Sequence, residues 1–182
     1  MGLDPHAPVV LVMGGGSGVG PMAELARRLA AIASKPQVVV VCGTNERLRR
    51  QVAALPEARE GRVRALGFTH DVDVLLEAAD VAVSKAGGLT CSEALVKGTP
   101  LVIFRPTPGQ EVRNAQYVES GGAAVNADTV ETVATTVARW LADPAERRRV
   151  SENALRLARP QAAEAIARRV LESVSQAARR AG

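Results

Sequence analysis

The 182-residue chain reads as an α/β protein: a doubly wound, Rossmann-like, six-stranded parallel sheet of order 3-2-1-4-5-6. Three observations predict it. Short apolar runs alternate with segments of helical periodicity from residue 9 onward. The composition is 47% hydrophobic but only 2% aromatic, so the core must be aliphatic. Glycine-rich turns follow the first and the fourth apolar runs, where a strand hands over to a helix. Runs that are apolar at nearly every position belong to parallel sheets covered on both faces.

The elements follow in order. Residues 1–8 are polar and proline-punctuated and are expected to form a disordered leader, with one domain over 9–182. Residues 9–13 are a buried strand, and 22–32 carry a helical repeat. A second strand is expected at 37–41 with a helix at 46–54, and a third strand at 62–66. Asp71 is placed to cap a short helix that runs through Leu76. The fourth strand, 81–83, leads into a helix at 89–96, and the fifth, 101–104, into a helix at 110–119. A short sixth strand is expected at 123–125. Helices then cover 130–141, 145–157 and, beyond Pro160, 161–178.

Composition removes several functions. The four aromatics are too few for the stacking on which single-stranded nucleic-acid binding depends, so no nucleic acid is expected. The net charge is +4, with arginines gathered at Arg27 and Arg28, Arg47 to Arg50, Arg147 to Arg149, Arg168 and Arg169, and Arg179 and Arg180. Such clusters are solvated helix faces or sites of attraction to anionic lipid headgroups. Cys42 and Cys91 have no paired spacing and suggest a reduced, cytoplasmic setting, reaching the membrane periphery if the arginines meet lipid. With only His6 and His70, a histidine metal site is not expected. No run has membrane-spanning length and no signal peptide is visible.

The predicted strand order reverses between strands one and four, and ligands of such sheets bind at the carboxyl ends beside that point. The loops flanking it are Gly14-Gly15-Gly16-Ser17-Gly18-Val19-Gly20 and Ser84-Lys85-Ala86-Gly87-Gly88-Leu89-Thr90, the two glycine-rich ones. Glycines at a helix start let N–H groups approach an anion. The first loop has Pro21 where a P-loop needs lysine, and it does not fit G-x-G-x-x-G from Gly14. The second strand ends in Cys42-Gly43-Thr44-Asn45, without the acidic residue that holds an adenosine ribose. Both observations disfavour a nicotinamide or flavin dinucleotide. Glu93 lies three residues after Thr90, one turn into the helix that starts at the second cradle. A carboxylate there can accept from two ribose hydroxyls, or it is a solvent-facing glutamate near a positive helix end. After strand five, Pro106, Pro108 and Gly109 stiffen a loop that presents Gln110, Glu111 and Asn114. Amides and a carboxylate suit sugar hydroxyls, although the same residues could merely cap a helix. Gly67-Phe68-Thr69 could pair a base edge or form an ordinary turn.

Taken in order, these pieces resemble the donor-binding, C-terminal half of GT-B glycosyltransferases. The likeness is greatest to monogalactosyldiacylglycerol synthases and processive diacylglycerol glucosyltransferases, and more distant to the undecaprenyl-linked N-acetylglucosamine transferase. It spans about residues 9–140, and the Gly109-Gln110-Glu111 wording sides with the diacylglycerol enzymes. The resemblance implies a UDP-sugar donor, no cofactor and no metal. It implies that Phe68 and Thr69 meet uracil through their backbone, and that Glu93 holds the ribose. Gly15, Gly16, Ser17 and Gly18, with Lys85, Gly87, Gly88, Leu89 and Thr90, would surround the diphosphate; Gln110, Glu111 and Asn114 would hold the hexose.

The expected function is therefore the UDP-sugar-binding half of an inverting hexosyltransferase acting on a lipid such as diacylglycerol. The resemblance places the catalytic base on an acceptor domain or partner subunit, which precedes this half in the family and is not in this sequence. The chain alone is then expected to bind donor and turn over poorly. Three other readings remain: the donor subunit of a split N-acetylglucosaminyltransferase, a UDP-sugar 2-epimerase-like domain, and a non-catalytic nucleotide-binding module.

Overall fold

A computed structural model describes residues 2–18 and 20–181, the side chains of 177–181 apart. Six strands form one parallel sheet: β1 (Val9–Met13), β2 (Gln37–Val41), β3 (Val63–Leu66), β4 (Val81–Ser84), β5 (Leu101–Phe104) and β6 (Ala124–Ala127). Their order is β3-β2-β1-β4-β5-β6, as the sequence predicts. The helices are α1 (Met22–Ala30), α2 (Glu46–Ala53), α3 (Pro56–Arg59), α4 (Val72–Ala78), α5 (Gly88–Lys97), α6 (Gln110–Ser120), α7 (Val130–Ala142), α8 (Pro144–Leu157) and α9 (Ala162–Ala181).

The two faces of the sheet carry two aliphatic cores, because successive side chains alternate. Val10 and Val12 point to one face and pack with Leu25 and Leu29 of α1, Val52 of α2 and Val133, Val137 and Trp140 of α7. Leu11 points to the other and packs with Leu76 of α4, Leu95 of α5, Val118 of α6 and Ala154 of α8. Every residue of β1, β2, β4 and β5 is buried, which is why these strands read as unbroken apolar runs. Buried Met22, Leu25, Ala26 and Leu29 recur at three- and four-residue spacing along α1. Thr129 caps α7 by accepting from Thr132 N. Asp143 caps α8, with Pro144 in the first turn where no N–H is required.

The differences from expectation are local. Helix α3 was not anticipated; one turn starting at Pro56 is too short to show periodicity. Strand β6 lies at Ala124–Ala127, one to two residues later than the 123–125 expected. Asp71 occupies the N-cap position of α4 without a side-chain cap bond. Thr69 does related work instead, its Oγ1 accepting from Asp71 N at 3.1 Å. The first residues, expected to be disordered, are hydrogen-bonded to the sheet: Asp4 N donates to Gln37 Oε1 (2.8 Å), and Gln37 Nε2 donates back to Asp4 O (2.9 Å). Several of the clustered arginines pair with neighbouring carboxylates, among them Arg28 with Glu131 (2.7 Å), Arg49 with Glu46 (2.7 Å) and Arg168 with Glu164 (2.8 Å). These are solvated helix surfaces and contribute little to stability. On α9 the apolar side chains Ile166, Val170, Leu171 and Val174 are exposed.

Candidate functional site

Strands β1 and β4 end side by side, with Met13 opposite Ser84. From there the chain leaves in opposite directions, to α1 on one face and to α5 on the other. The two glycine-rich turns therefore straddle one crevice at the carboxyl edge, where doubly wound sheets bind ligands.

The first turn is pinned to the end of β2. Thr44 N and Thr44 Oγ1 both donate to Gly16 O, at 2.9 and 3.2 Å, and Asn45 Nδ2 donates to Gly18 O at 3.1 Å. Gly18 N donates to Gly15 O at 3.0 Å. The approach is so close that a Cβ on Gly18 would lie 2.2 Å from Cys42 O, and one on Gly43 would lie 2.1 Å from Gly16 O. Both residues also have positive φ, +55° and +59°, so glycine is required twice over. With its carbonyls occupied in this way, the exposed Gly15-Gly16-Ser17 tip has N–H groups left to offer, as an anion needs. Val19 of this loop lies outside the described residues. Sequence reasoning quoted Thr44 and Asn45 without giving them this task; a hydroxyl and an amide directly after Gly43 were the available signal.

The second turn opens α5. Gly87 is its N-cap residue, no side chain caps it, and no acidic residue lies in its first turn. The amides at Gly88, Leu89 and Thr90 are the ones a helix start leaves without intrahelical partners, at the positive end of the helix. Gly88 is exposed, and the amide groups of Gln110 and Asn114 converge on it. A Cβ there would lie 3.6 Å from Gln110 Nε2 and 3.9 Å from Asn114 Nδ2. Asn114 Nδ2 donates to Ala86 O at 2.9 Å, which ties α6 to this turn and fixes the direction of the amide oxygen. Glu93 is exposed and makes no hydrogen bond or ion pair among the described residues. Thr90, three residues before it, is half-buried.

The third loop, 105–109, is held from both sides. Thr107 N donates to Glu111 Oε2 at 2.6 Å, and Lys85 Nζ donates to Thr107 Oγ1 at 3.3 Å. Glu111 therefore closes its own loop, while the start of α6 at Gly109 has no side-chain cap bond. Arg105 has φ +48°, donates from Nε to Asp128 O at 2.8 Å and lies over the Phe104 ring at 5.0 Å. Neither Arg105 nor Thr107 was singled out from sequence, because their roles come from contacts across the loop. Phe68, after β3, and Leu89, in the first turn of α5, are 61% and 80% exposed, large for apolar side chains. Phe68 makes an edge-to-face contact with His70 at 5.0 Å. Thr69 spends its hydroxyl on Asp71, leaving its backbone as the remaining contact group.

Among the described residues no group of three His, Cys, Asp or Glu is placed to hold a metal ion. Burial pushes the Cys42 thiol up to about 11, against the opposing pull of Arg49. Cys91 is likewise pushed up to about 11 by burial, with the Glu111 charge adding to it. Both buried thiols are thereby held in the neutral form at physiological pH.

A six-stranded parallel sheet of order 3-2-1-4-5-6 with helices on both faces defines a doubly wound, Rossmann-like α/β domain. The comparisons with known proteins give the family. Residues 9–174 match the model of the glycosyltransferase family 28 C-terminal domain, and the chain belongs to that family of glycosyltransferases. A probable monogalactosyldiacylglycerol synthase of Oryza sativa subsp. japonica is 39% identical, over 93% of this chain and 35% of its own length. A processive diacylglycerol beta-glucosyltransferase of Bacillus subtilis is 35% identical, over 83% of this chain and 40% of its own. The chain thus spans about a third of the curated relatives it matches. Among solved structures, MurG of Acinetobacter baumannii superposes with a TM-score of 0.66 at 20% identity, covering 91% of this chain and 52% of MurG. The glycosyltransferase of kitacinnamycin gives 0.65 at 26% identity, covering 91% and 44%. The fold is that of the C-terminal, Rossmann-like half of GT-B glycosyltransferases. Among the described residues no helix is long and apolar enough to cross a membrane.

Proposed function

We propose that this chain is the donor-binding half of an inverting hexosyltransferase that takes a UDP-sugar and acts on a lipid such as diacylglycerol. The observation that carries the reading is the uncapped start of α5 at Gly87, facing the first glycine loop across the switch point. That pair of N–H cradles suits a diphosphate. Glu93, unpaired and one turn further, is placed for the ribose hydroxyls, and the Phe68-Thr69 backbone for the base. The Gln110 and Asn114 amides, gathered over Gly88, would hold the hexose. Glu111 would serve the hexose mainly by fixing the loop. The lipid acceptor follows from the relatives named for diacylglycerol, and it would be met at a membrane surface. The half bearing the acceptor domain, or a partner subunit, would supply the base.

On this reading UDP binds without added metal, with Kd in the range of roughly 1 μM to 1 mM, about −8 to −4 kcal/mol. Calorimetry with UDP in the presence and absence of chelator checks it. Binding that disappears with chelator would overturn the metal-free site, and absence of binding in both would overturn the donor reading.

A further inference from the structure

The core that α1 and α7 form on one face of the sheet opens upward at the carboxyl edge into a cavity of about 200 Å³. Its walls are Met13, Met22, Val83 and Phe104, and Lys85 and Arg105 stand at its rim. Protein interiors are otherwise close-packed, and an apolar cavity of ~150 Å³ is enough to bind benzene. The cavity borders the second glycine turn through Lys85 and the hexose loop through Arg105, so whatever fills it lies beside the sugar. A hexose is a poor occupant, because the lining is mainly apolar, with Ser84 the polar side chain between the walls and the rim, and leaves most of its hydroxyls unbonded. A nucleobase is a poor occupant as well, since its edge atoms would go unpaired. The rim adds a further constraint. Lys85 and Arg105 form no ion pair among the described residues, and each is held by a neutral oxygen, Thr107 Oγ1 and Asp128 O. Arg105 sits there in a left-handed conformation, +48°, of the kind that persists only where the surroundings hold it. The occupant must therefore be apolar inside and polar at the mouth.

We propose that this cavity is an acceptor subsite on the donor half: it receives the alkyl neck of the lipid and leaves the glycerol hydroxyl at the rim, next to the hexose. The proposal rests on the glycosyltransferase reading above; the apolar walls Met13, Met22, Val83 and Phe104 are not among the nucleotide-site residues, and the two sites share Lys85 at the rim. It divides the acceptor site between two parts of the enzyme, so that lipid selection depends partly on residues that precede and follow the cradles.

Met13 and Met22 make the test direct, because the chain's third methionine, Met1, lies elsewhere in the sequence and serves as a control. With methyl-13C methionine in the 182-residue chain, 1,2-dihexanoylglycerol is titrated below its micellar concentration. The Met13 and Met22 methyl signals should shift saturably while Met1 stays put, and the shift should persist in saturating UDP. Val83→Met, which adds volume to the floor, should weaken the lipid response at least fivefold while leaving UDP affinity within twofold; an unchanged thermal transition verifies its fold. Unmoved Met13 and Met22 signals, an equal shift at Met1, or loss of the lipid shift on adding UDP would each overturn the proposal. If UDP fails to bind while the lipid shift is seen, the donor reading falls and the subsite stands.

Discussion

Glu93 isolates what a single side chain contributes here. It is exposed, has no protein partner among the described residues and follows the uncapped start of α5 by one turn. A helical glutamate with no partner is ordinary on a surface. On the proposed reading it would be the acceptor that two vicinal hydroxyls require, with bonds to a charged group worth about 1.5–3 kcal/mol. Glu93→Ala should therefore weaken UDP by roughly tenfold to a hundredfold and leave inorganic diphosphate within a factor of about two, since diphosphate has no ribose. Paired titrations of the two ligands against both proteins measure this. Equal losses would mean that Glu93 acts through the fold, whereas tighter binding of both ligands would mean that its negative charge opposes anions at the helix start. The two cysteines show the opposite case. Their burial makes them inert, and they belong to packing rather than chemistry.

At the scale of elements, the junction of α5 and α6 sets the geometry of the site. Asn114 donates to Ala86 O, so its amide nitrogen is spent on holding the second turn and its oxygen is directed by that bond. Asn114→Ala should cost about 1 kcal/mol of stability. It should also remove the preference for a UDP-hexose over UDP while changing UDP affinity less than about threefold. Calorimetry with both ligands decides it: an equal fall in both affinities would make Asn114 a scaffold for the cradle alone. The strand order and the position of the crevice were legible in the sequence, because strands buried on both faces must be apolar throughout and because glycine marks each turn at the switch point. The side-chain ties were not. That Glu111 would reach Thr107 N, that Thr44 and Asn45 would hold the first loop, and that Arg105 would adopt positive φ all depend on contacts between segments far apart in sequence or folded back on themselves. Local pattern carries no record of these. Helix α3 escaped for a simpler reason, a single turn being too short for any residue pattern to repeat.

Taken whole, the molecule presents one working edge. Three loops converge on the carboxyl ends of β1, β4 and β5, and the groups they offer are N–H donors, amides, Lys85 and Arg105. On the proposed reading these would hold a nucleotide-sugar and stabilise a departing diphosphate. Inverting displacement also needs a base on the side of the anomeric carbon away from the leaving group, within reach of the acceptor hydroxyl. Glu111, the carboxylate in the hexose loop, is engaged with Thr107 N at 2.6 Å. We expect the base from another part of the enzyme, in keeping with relatives of which this chain spans only 35–40%. The 182-residue chain by itself should then transfer hexose to diacylglycerol at a negligible rate despite binding UDP. Supplying the remaining portion of a related enzyme, fused or in trans, should restore transfer without altering Glu93 dependence. Radiolabelled hexose incorporation into lipid, with the chain alone against the reconstituted pair, measures both. Robust transfer by the chain alone would place the base on this half, and Glu111→Gln would then separate a catalytic carboxylate from a loop fastener: loss of kcat with unchanged UDP affinity for the first, loss of hexose binding for the second.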